Sequence, residues 1–224
     1  MAQGDTALHG SSKKDKSFVP WVASAALITS GSIAALDHRI LDNYFWNRWQ
    51  SKQQPPFQTT ADDMLSIFPV AVVYLLDAAG YQSKTNFKDR SLILLKAGVA
   101  TMATVYSLKG LTSVQRPDSS NYYSFPSGHS AVAFMAAHFM HRELGQRSIL
   151  FSVAGYGTAA LTGFLRMKHQ RHWASDVLAG AGIGILCSEL AYRTHRYRFA
   201  SKHSVTVSPY WSNGGGGLYL NWRL

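Results

Sequence analysis

This sequence has little of two residue classes on which many sites and folds depend, cysteine and charged residues. Cys187 is the only cysteine among the 224 residues, which excludes an intrachain disulfide framework and a cysteine-based zinc site. Charged residues make up 15% of the chain, well below the roughly 25% of an average soluble domain. Apolar residues make up 46%, so intrinsic disorder is excluded and a sizeable core is available.

Acidic side chains are especially scarce. The chain has 22 lysines and arginines against 12 aspartates and glutamates, and its formal net charge is +10. A basic chain suits anionic partners, which are phospholipid headgroups, phosphorylated substrates or nucleic acid. The mean hydropathy of −0.08 is low for a protein made only of membrane spans.

Long uncharged runs are few. Residues 17–36 and 148–165 approach the length of about 20 residues that crosses a bilayer. The other apolar runs are short or interrupted by charge; they are 64–81, 92–108, 130–140 and 177–192. This mixed pattern fits either a bundle of short spans or a helical domain that only touches a bilayer, and for the shorter runs it favours buried core helices. Residues 1–12 lack the apolar stretch of a signal peptide and are compatible with the start of a processed chain.

The apolar pattern predicts an all-α domain of six helices, packed as a bundle over residues 18–200. The predicted helices cover about 18–36, 61–80, 88–108, 128–144, 147–165 and 174–195. A polar segment, 1–17, precedes them, and a tail, 201–224, follows. In this tail, period-two alternation on both sides of a glycine run indicates a short β-hairpin; the alternative is an ordinary flexible terminus.

The first chemically distinctive segment carries two cations, Lys109 and Arg116, followed by Pro117. On a helix this spacing places both cations on one face about two turns apart, and the proline ends the helix. The pair is suited to gripping a phosphate, with arginine as a planar fork and lysine as a point charge. The alternative is a helix C-terminus whose cations only complement the helix dipole.

The second segment, 126–129, is a turn of sequence Pro-Ser-Gly-His that leads into an apolar helix. Ser127 is suited to cap that helix, and Gly128 has no side chain to obstruct a ligand. The free amides of a helix start form an anion site, where His129 can give or take a proton near neutral pH. The alternative is a capped helix with an incidental histidine.

The third segment contains Arg166, His172 and Asp176. The histidine and aspartate are spaced i, i+4, so on one helical turn they share a face. The aspartate can then bind one ring nitrogen and leave the other free as a nucleophile. The alternative is a His–Asp pair that only stabilises the start of a helix.

Together the three segments resemble the signature of the type 2 phosphatidic acid phosphatase (PAP2) superfamily, which is K-x6-R-P, P-S-G-H and S-R-x5-H-x3-D. The order of the blocks and every internal spacing match. One position departs, because Leu165 stands where the signature has serine. This removes a hydroxyl near the phosphate and none of the charged groups, so it affects fine positioning more than the reaction.

The resemblance implies the fold of that family, a six-helix bundle, and a metal-independent reaction without a cofactor. His172 would attack phosphorus and form a phosphohistidine, while Asp176 holds its tautomer. His129 would protonate the leaving oxygen and then activate water. The phosphate oxygens would be bound by Lys109, Arg116, Ser127, Gly128 and Arg166. The other histidines are expected on surfaces or in loops; they include His138, His195 and His203.

The family includes lipid phosphatases, soluble acid phosphatases and vanadium haloperoxidases, the last usually much longer chains. The apolar runs and basic flanks favour hydrolysis of a phosphomonoester or pyrophosphate of a membrane lipid, with a membrane and no nucleic acid as partner. Candidate substrates are phosphatidate, phosphatidylglycerol phosphate, undecaprenyl pyrophosphate and lipid A phosphate. The expected location is the membrane of a bacterial cell envelope, with the site facing the periplasm. The alternatives are a soluble periplasmic acid phosphatase and a non-catalytic envelope protein that binds anionic lipid.

Overall fold

The computed structural model describes residues 17–36, 42, 59–197, 204–212 and 215–223. The predicted N-terminal segment and most of the connection before residue 59 lie outside the described residues. Six long helices fall within them, and two antiparallel strands form the predicted C-terminal hairpin. In chain order these elements are α1 (Val19–Leu36), α2 (Ala61–Ala78), α3 (Phe87–Thr112), α4 (Gly128–Leu144), α5 (Ile149–Lys168), α6 (Ala174–Thr194), β1 (Ser204–Ser212) and β2 (Gly215–Arg223).

Successive helices run in opposite directions, so the bundle has two distinct ends. The starts of α4 and α6 meet where the Ser127 amide donates to the Asp176 carbonyl oxygen over 3.0 Å. The start of α2 and the end of α5 lie at this same end. At the opposite end, Arg193 near the end of α6 donates to the carbonyl oxygen of Ser17 before α1. The three predicted motifs therefore share one end of the bundle.

Helix α6 forms the centre of the bundle and packs against α1, α3 and α4. Its glycines allow the backbones to approach closely, as small residues do between membrane helices. A Cβ atom at Gly180 would lie 2.5 Å from the carbonyl oxygen of Ser127, and one at Gly184 would collide with the carbonyl oxygen of Ala131. The small residues of α6 therefore set the distance between the starts of α4 and α6.

Replacement of Gly184 by leucine is expected to prevent the close packing of α4 on α6. Because the colliding atom is backbone, the two helices must move apart, at a cost of about 3 kcal/mol, the upper end of the usual range for overpacking. The loss is measured as a lower midpoint of thermal unfolding in detergent. Gly157→Leu is the matched control, since no heavy atom lies within 4 Å of a Cβ atom there. Equal midpoints for the two variants would contradict the packing argument.

The outer faces of the helices expose many large apolar side chains. Among the described helices, four are long and apolar enough to cross a membrane, with mean hydropathy between 1.2 and 1.6; they are α1, α3, α5 and α6. The sequence favours a buried core helix for the run in α3. Only 22% of the apolar stretch of α3 is buried, however, against 83% of the apolar stretch of α6. The prediction is therefore wrong for α3, whose apolar surface faces outwards as in a lipid-exposed helix.

Two helix ends differ from the sequence prediction and change the setting of two arginines. Helix α3 ends at Thr112, and Ser113 adopts a left-handed conformation with φ of 48°, so Arg116 does not continue the helix. Hydrogen bonds across the following loop, such as Arg116 N to Asn121 O, replace the helical ones. Conversely, α5 continues to Lys168, so Arg166 lies on a helix and not in a loop.

The expectation that the remaining histidines lie on surfaces or in loops is wrong for His138, which is buried within α4. His195 is buried as well, but it follows the end of α6 and lies outside the helix. The two ring nitrogens of His138 contact the Tyr156 hydroxyl at 2.7 Å and the Glu189 carboxylate at 3.1 Å. These contacts satisfy the polar atoms that burial removes from water. His203 lies outside the described residues.

Candidate active site

One end of the bundle gathers all eight residues that the sequence singles out. They come from four helix ends and from the loop between α3 and α4, so they are contributed by separate parts of the chain. The eight residues are Lys109, Arg116, Ser127, Gly128, His129, Arg166, His172 and Asp176.

The His172–Asp176 pair lies at the start of α6, with the histidine two residues before the helix begins. Nδ1 of His172 is 3.4 Å from Oδ2 of Asp176, and both side chains are almost fully buried. This distance is too long for a well-formed hydrogen bond. Catalytic hydrogen bonds are often long without substrate and shorten when it binds. The contact engages Nδ1 and leaves Nε2 as the nitrogen available for chemistry.

Asp176 is itself held in place by two donors. Its Oδ2 accepts from the Trp173 amide over 2.8 Å and from the Ser124 hydroxyl. Ser124 is fully buried and comes from the loop before α4, outside the motifs. Sequence reasoning missed it, because no spacing rule relates residues 52 positions apart. The carboxylate that orients His172 therefore depends on a serine from another part of the chain.

Burial lowers the pKa of His172 to about 4. Loss of hydration is the largest cause, because it disfavours the charged ring, and the nearby cations of Lys109 and Arg166 act in the same direction. Asp176 opposes the shift. The ring is therefore neutral at pH 7, the state in which a nitrogen lone pair can act as a nucleophile.

We expect the acid limb of the kcat/KM profile to have its midpoint near pH 4, the value of the His172 pKa. A group whose pKa is lowered keeps its active neutral form down to lower pH and loses it only as pH falls through the shifted value. Because the substrate phosphate also ionises near pH 6, NMR titration of the free enzyme's His172 ring is the second measurement. A midpoint near 6.5 in that titration would contradict the burial of the ring.

Three cationic side chains lie near the His172–Asp176 pair. Lys109 and Arg166 act electrostatically on His172. Burial lowers the pKa of Arg116, and the nearby positive charge of Arg166 lowers it further. The Nε atoms of both arginines are buried without a hydrogen-bond partner among the described residues. Lys109 Nζ donates to the carbonyl oxygens of Tyr123 and Ser124. Buried arginine donors without a protein acceptor are suited to an oxyanion.

The start of α4 has the features of an anion site. The Ser127 side chain caps the helix by accepting from the Ser130 amide. A Cβ atom at Gly128 would meet only a Val105 methyl at 3.6 Å, an ordinary van der Waals contact. Packing within the protein therefore does not require glycine at this position. The missing side chain keeps the free amides of the helix start accessible.

Two aspartates that the sequence analysis did not select also lie at this end. Asp62 and Asp63 lie in the first turn of α2 and contact Arg166 and His129, respectively. A pair of carboxylates stands out in a chain with 12 acidic residues, yet only the fold reveals their partners. Among the described residues, no group of three or more histidine, cysteine, aspartate or glutamate side chains is arranged to hold a metal ion.

The sequence matches both a family model and a known protein. The sequence model of the PAP2 superfamily matches residues 90–200. A lipid A 1-phosphatase of Porphyromonas gingivalis is 40% identical over 184 residues, which are 75% of this chain and 40% of that protein. The chain thus spans less than half the length of this relative.

Two solved structures share the fold. The crystal structure of Aquifex aeolicus LpxE has a TM-score of 0.50 and 21% identity, over 67% of this chain and 93% of that one. The transmembrane PAP2-type phosphatidylglycerolphosphate phosphatase of Bacillus subtilis has a TM-score of 0.59 and 18% identity, over 81% of this chain and 100% of that one. These structures show the fold, and the apolar outer faces of four described helices indicate a membrane protein.

The family match contains every residue of the three motifs, from Lys109 to Asp176. The six-helix bundle agrees with the solved PAP2 fold beyond the motifs. This chain therefore belongs to the PAP2 superfamily.

Proposed function

We propose that this protein is a phosphatase that removes a phosphate from a phosphomonoester or pyrophosphate of a membrane lipid, through a phosphohistidine intermediate. The observation that carries the proposal is the buried His172 ring, which contacts Asp176 and lies near Lys109 and Arg166. A neutral nucleophile beside fixed cations is the arrangement that phosphoryl transfer needs.

In the first step, Nε2 of His172 attacks phosphorus. The new P–N bond forms while the bond from phosphorus to the lipid oxygen breaks, and His129 gives its proton to that oxygen. Lys109, Arg116 and Arg166 stabilise the negative charge on the phosphoryl oxygens in the transition state. Asp176 stabilises the positive charge that develops on the attacking ring.

In the second step, water replaces the lipid. His129, now neutral, takes a proton from the water molecule as its oxygen attacks phosphorus. The P–N bond breaks, inorganic phosphate forms, and His172 returns to its neutral state. The cationic residues bind the same oxygens in both steps, so one site serves the whole reaction.

The lipid nature of the substrate is supported by the outer surface of the bundle. We call the end of the bundle that holds the eight candidate site residues the catalytic end. Exposed apolar side chains lie on helices that reach this end, for example Leu111 on α3 and Phe164 on α5. A headgroup can therefore enter the site while its acyl chains stay in the bilayer. Similarity to a lipid A 1-phosphatase makes lipid A phosphorylated at position 1 the first substrate to test.

A substrate panel in detergent tests the proposal. It contains the four candidate lipid phosphates and a water-soluble chromogenic monoester, each with wild type and with a His172→Ala variant. Preference for one lipid, lost in the variant, is the expected result. Equal rates on soluble monoesters would favour a non-specific acid phosphatase. Binding of anionic lipid vesicles without hydrolysis would favour the non-catalytic alternative.

We also infer that the catalytic end faces the periplasm. Cytoplasmic loops of membrane proteins carry an excess of lysine and arginine, and the three lysines before α1 precede its non-catalytic end. Further cations lie at or near that end, namely Lys84, Lys88, Arg147, Arg193 and Arg196. Single cysteines at Gln82 and Ser120, in a Cys187→Ser background, test the orientation in intact cells. An impermeant maleimide should label only the Ser120 position; labelling of only the Gln82 position would reverse the orientation.

Catalysis is expected to continue in EDTA and to stop with orthovanadate. Lys109, Arg116 and Arg166 supply the positive charge that a metal ion supplies in other phosphatases. Vanadate mimics the five-coordinate transition state and should therefore bind far more tightly than phosphate. The measurement is the initial rate on a soluble monoester after dialysis against EDTA. Loss of activity that Mg²⁺ restores would contradict this prediction.

A further inference from the structure

Two adjacent carboxylates in the first turn of α2 contact two different side chains of the candidate site. Oδ2 of Asp62 accepts from Nη1 of Arg166 over 2.6 Å. Oδ1 of Asp63 lies 2.8 Å from Nε2 of His129. None of the three motifs includes a residue of α2. This helix nevertheless reaches both the phosphate-binding arginine and the predicted acid–base histidine.

Helix geometry explains how neighbouring residues reach different partners. Successive side chains on a helix point about 100° apart, and α2 packs against both α4 and α5. The Asp62 carboxylate therefore points to Arg166 on α5, and the Asp63 carboxylate points to His129 on α4. The pairing depends on the packing of α2 against these two helices and not on a local sequence spacing.

The two carboxylates differ in burial. Asp62 is 2% exposed, whereas the side chains of Asp63 and His129 are 60% and 40% exposed. A buried carboxylate without a partner is strongly unfavourable, so Asp62 and Arg166 hold each other in place. This bond occupies Nη1 of Arg166. The buried Nε atom has no hydrogen-bond partner among the described residues and stays available as a donor. The exposed pair is screened by water and contributes less.

We propose that the Asp62–Asp63 pair is a positioning element of this site. Asp62 fixes the guanidinium plane of Arg166 for the phosphoryl oxygens, and Asp63 holds one ring nitrogen of His129 and stabilises its protonated ring. This inference rests on the proposed phosphatase function. Neither aspartate touches the reacting atoms, so each acts through its partner.

A double-mutant cycle tests the first half. Asp62→Ala should lower kcat/KM by about 10²-fold and raise the vanadate inhibition constant in parallel. Asp62→Asn should lose only about 10-fold, because its amide oxygen still accepts from Arg166. If Asp62 acts through Arg166, adding Asp62→Ala to Arg166→Ala should change kcat/KM by less than about 3-fold. A full further loss in the double variant would overturn the assignment.

Asp77→Asn is the control for a merely structural effect. Asp77 lies at the other end of α2 and pairs with the buried Arg90, whose Nη1 is 3.0 Å from Oδ1. Its loss should lower the thermal midpoint in detergent and leave kcat/KM and vanadate inhibition as in the wild type. If the Asp62 variants lose stability and no more activity than this control, the role of Asp62 is structural.

The pH profile tests the second half. The charged groups that face His129 are Asp62 and Asp63 from α2 and Arg166 from α5. Asp63→Asn removes a negative charge beside the acid, so the alkaline limb of the kcat profile should move to lower pH by about half a unit or more. An unchanged limb would overturn the role of Asp63. No hydrolysis by the wild type on any substrate would instead refute the proposed function.

Discussion

Replacement of His172 by alanine is expected to lower kcat by at least about 10⁴-fold, because no other described side chain can take over the attack on phosphorus. The buried ring is the proposed nucleophile, and its loss also removes the group that Asp176 contacts. Rapid quenching with a ³²P-labelled monoester measures the intermediate directly. The wild type should yield acid-labile, alkali-stable phosphohistidine, and the variant none.

His138→Ala is the matched control for the loss of a buried histidine. His138 is 1% exposed and contacts Tyr156 and Glu189 near the opposite end of the bundle. Its replacement should destabilise the bundle while the folded fraction still forms the phosphoenzyme. Trapped phosphohistidine at wild-type levels in the His172 variant would refute the nucleophile assignment.

Replacement of His129 by alanine should lower kcat on a lipid or alkyl phosphate by about 10³- to 10⁴-fold, the second largest effect. General acid catalysis contributes about 10²- to 10⁴-fold, and an alkoxide leaves slowly without a proton. A nitrophenyl ester has a good leaving group and needs no acid. For this substrate the variant should form the phosphoenzyme readily and hydrolyse it slowly, because the water step has lost its base.

A burst of nitrophenolate equal to the enzyme concentration is therefore the expected signature of the His129 variant. Phosphohistidine should accumulate at the same time and decay slowly. Asp63→Asn provides the graded comparison, since it keeps the histidine and removes only its partner carboxylate. An equal loss on alkyl and nitrophenyl esters, without a burst, would contradict an acid role for His129.

The sequence alone determined the helices and the identity of the chemical groups. Its apolar pattern gave six helices whose bounds lie within a few residues of the structure. The motif residues could be recognised because their spacing is local. Segment 126–129 is a cap and helix start, and His172 and Asp176 are one turn apart. Such short-range geometry depends on backbone periodicity, which a sequence displays directly.

Two local predictions failed because tertiary contacts override helix periodicity. The motif spacing predicts that the helix continues to Arg116. In the structure Arg116 lies after the end of that helix, because the loop before α4 forms its own hydrogen bonds. The apolar run of α3 is interrupted by Lys96, which suggested a buried core helix. The fold instead places Nζ of this lysine 3.4 Å from Nδ1 of His195. Most of the helix surface faces outwards.

Only the tertiary structure decided which side chains complete the site. Asp62 meets Arg166 across 104 residues, and Ser124 meets Asp176 across 52; no periodicity links such positions. Their meeting depends on how closely α2, α4, α5 and α6 pack, which small residues such as Gly180 and Gly184 permit. The sequence therefore determined which groups can carry the reaction. Packing determined their burial, their protonation and the carboxylates that hold them.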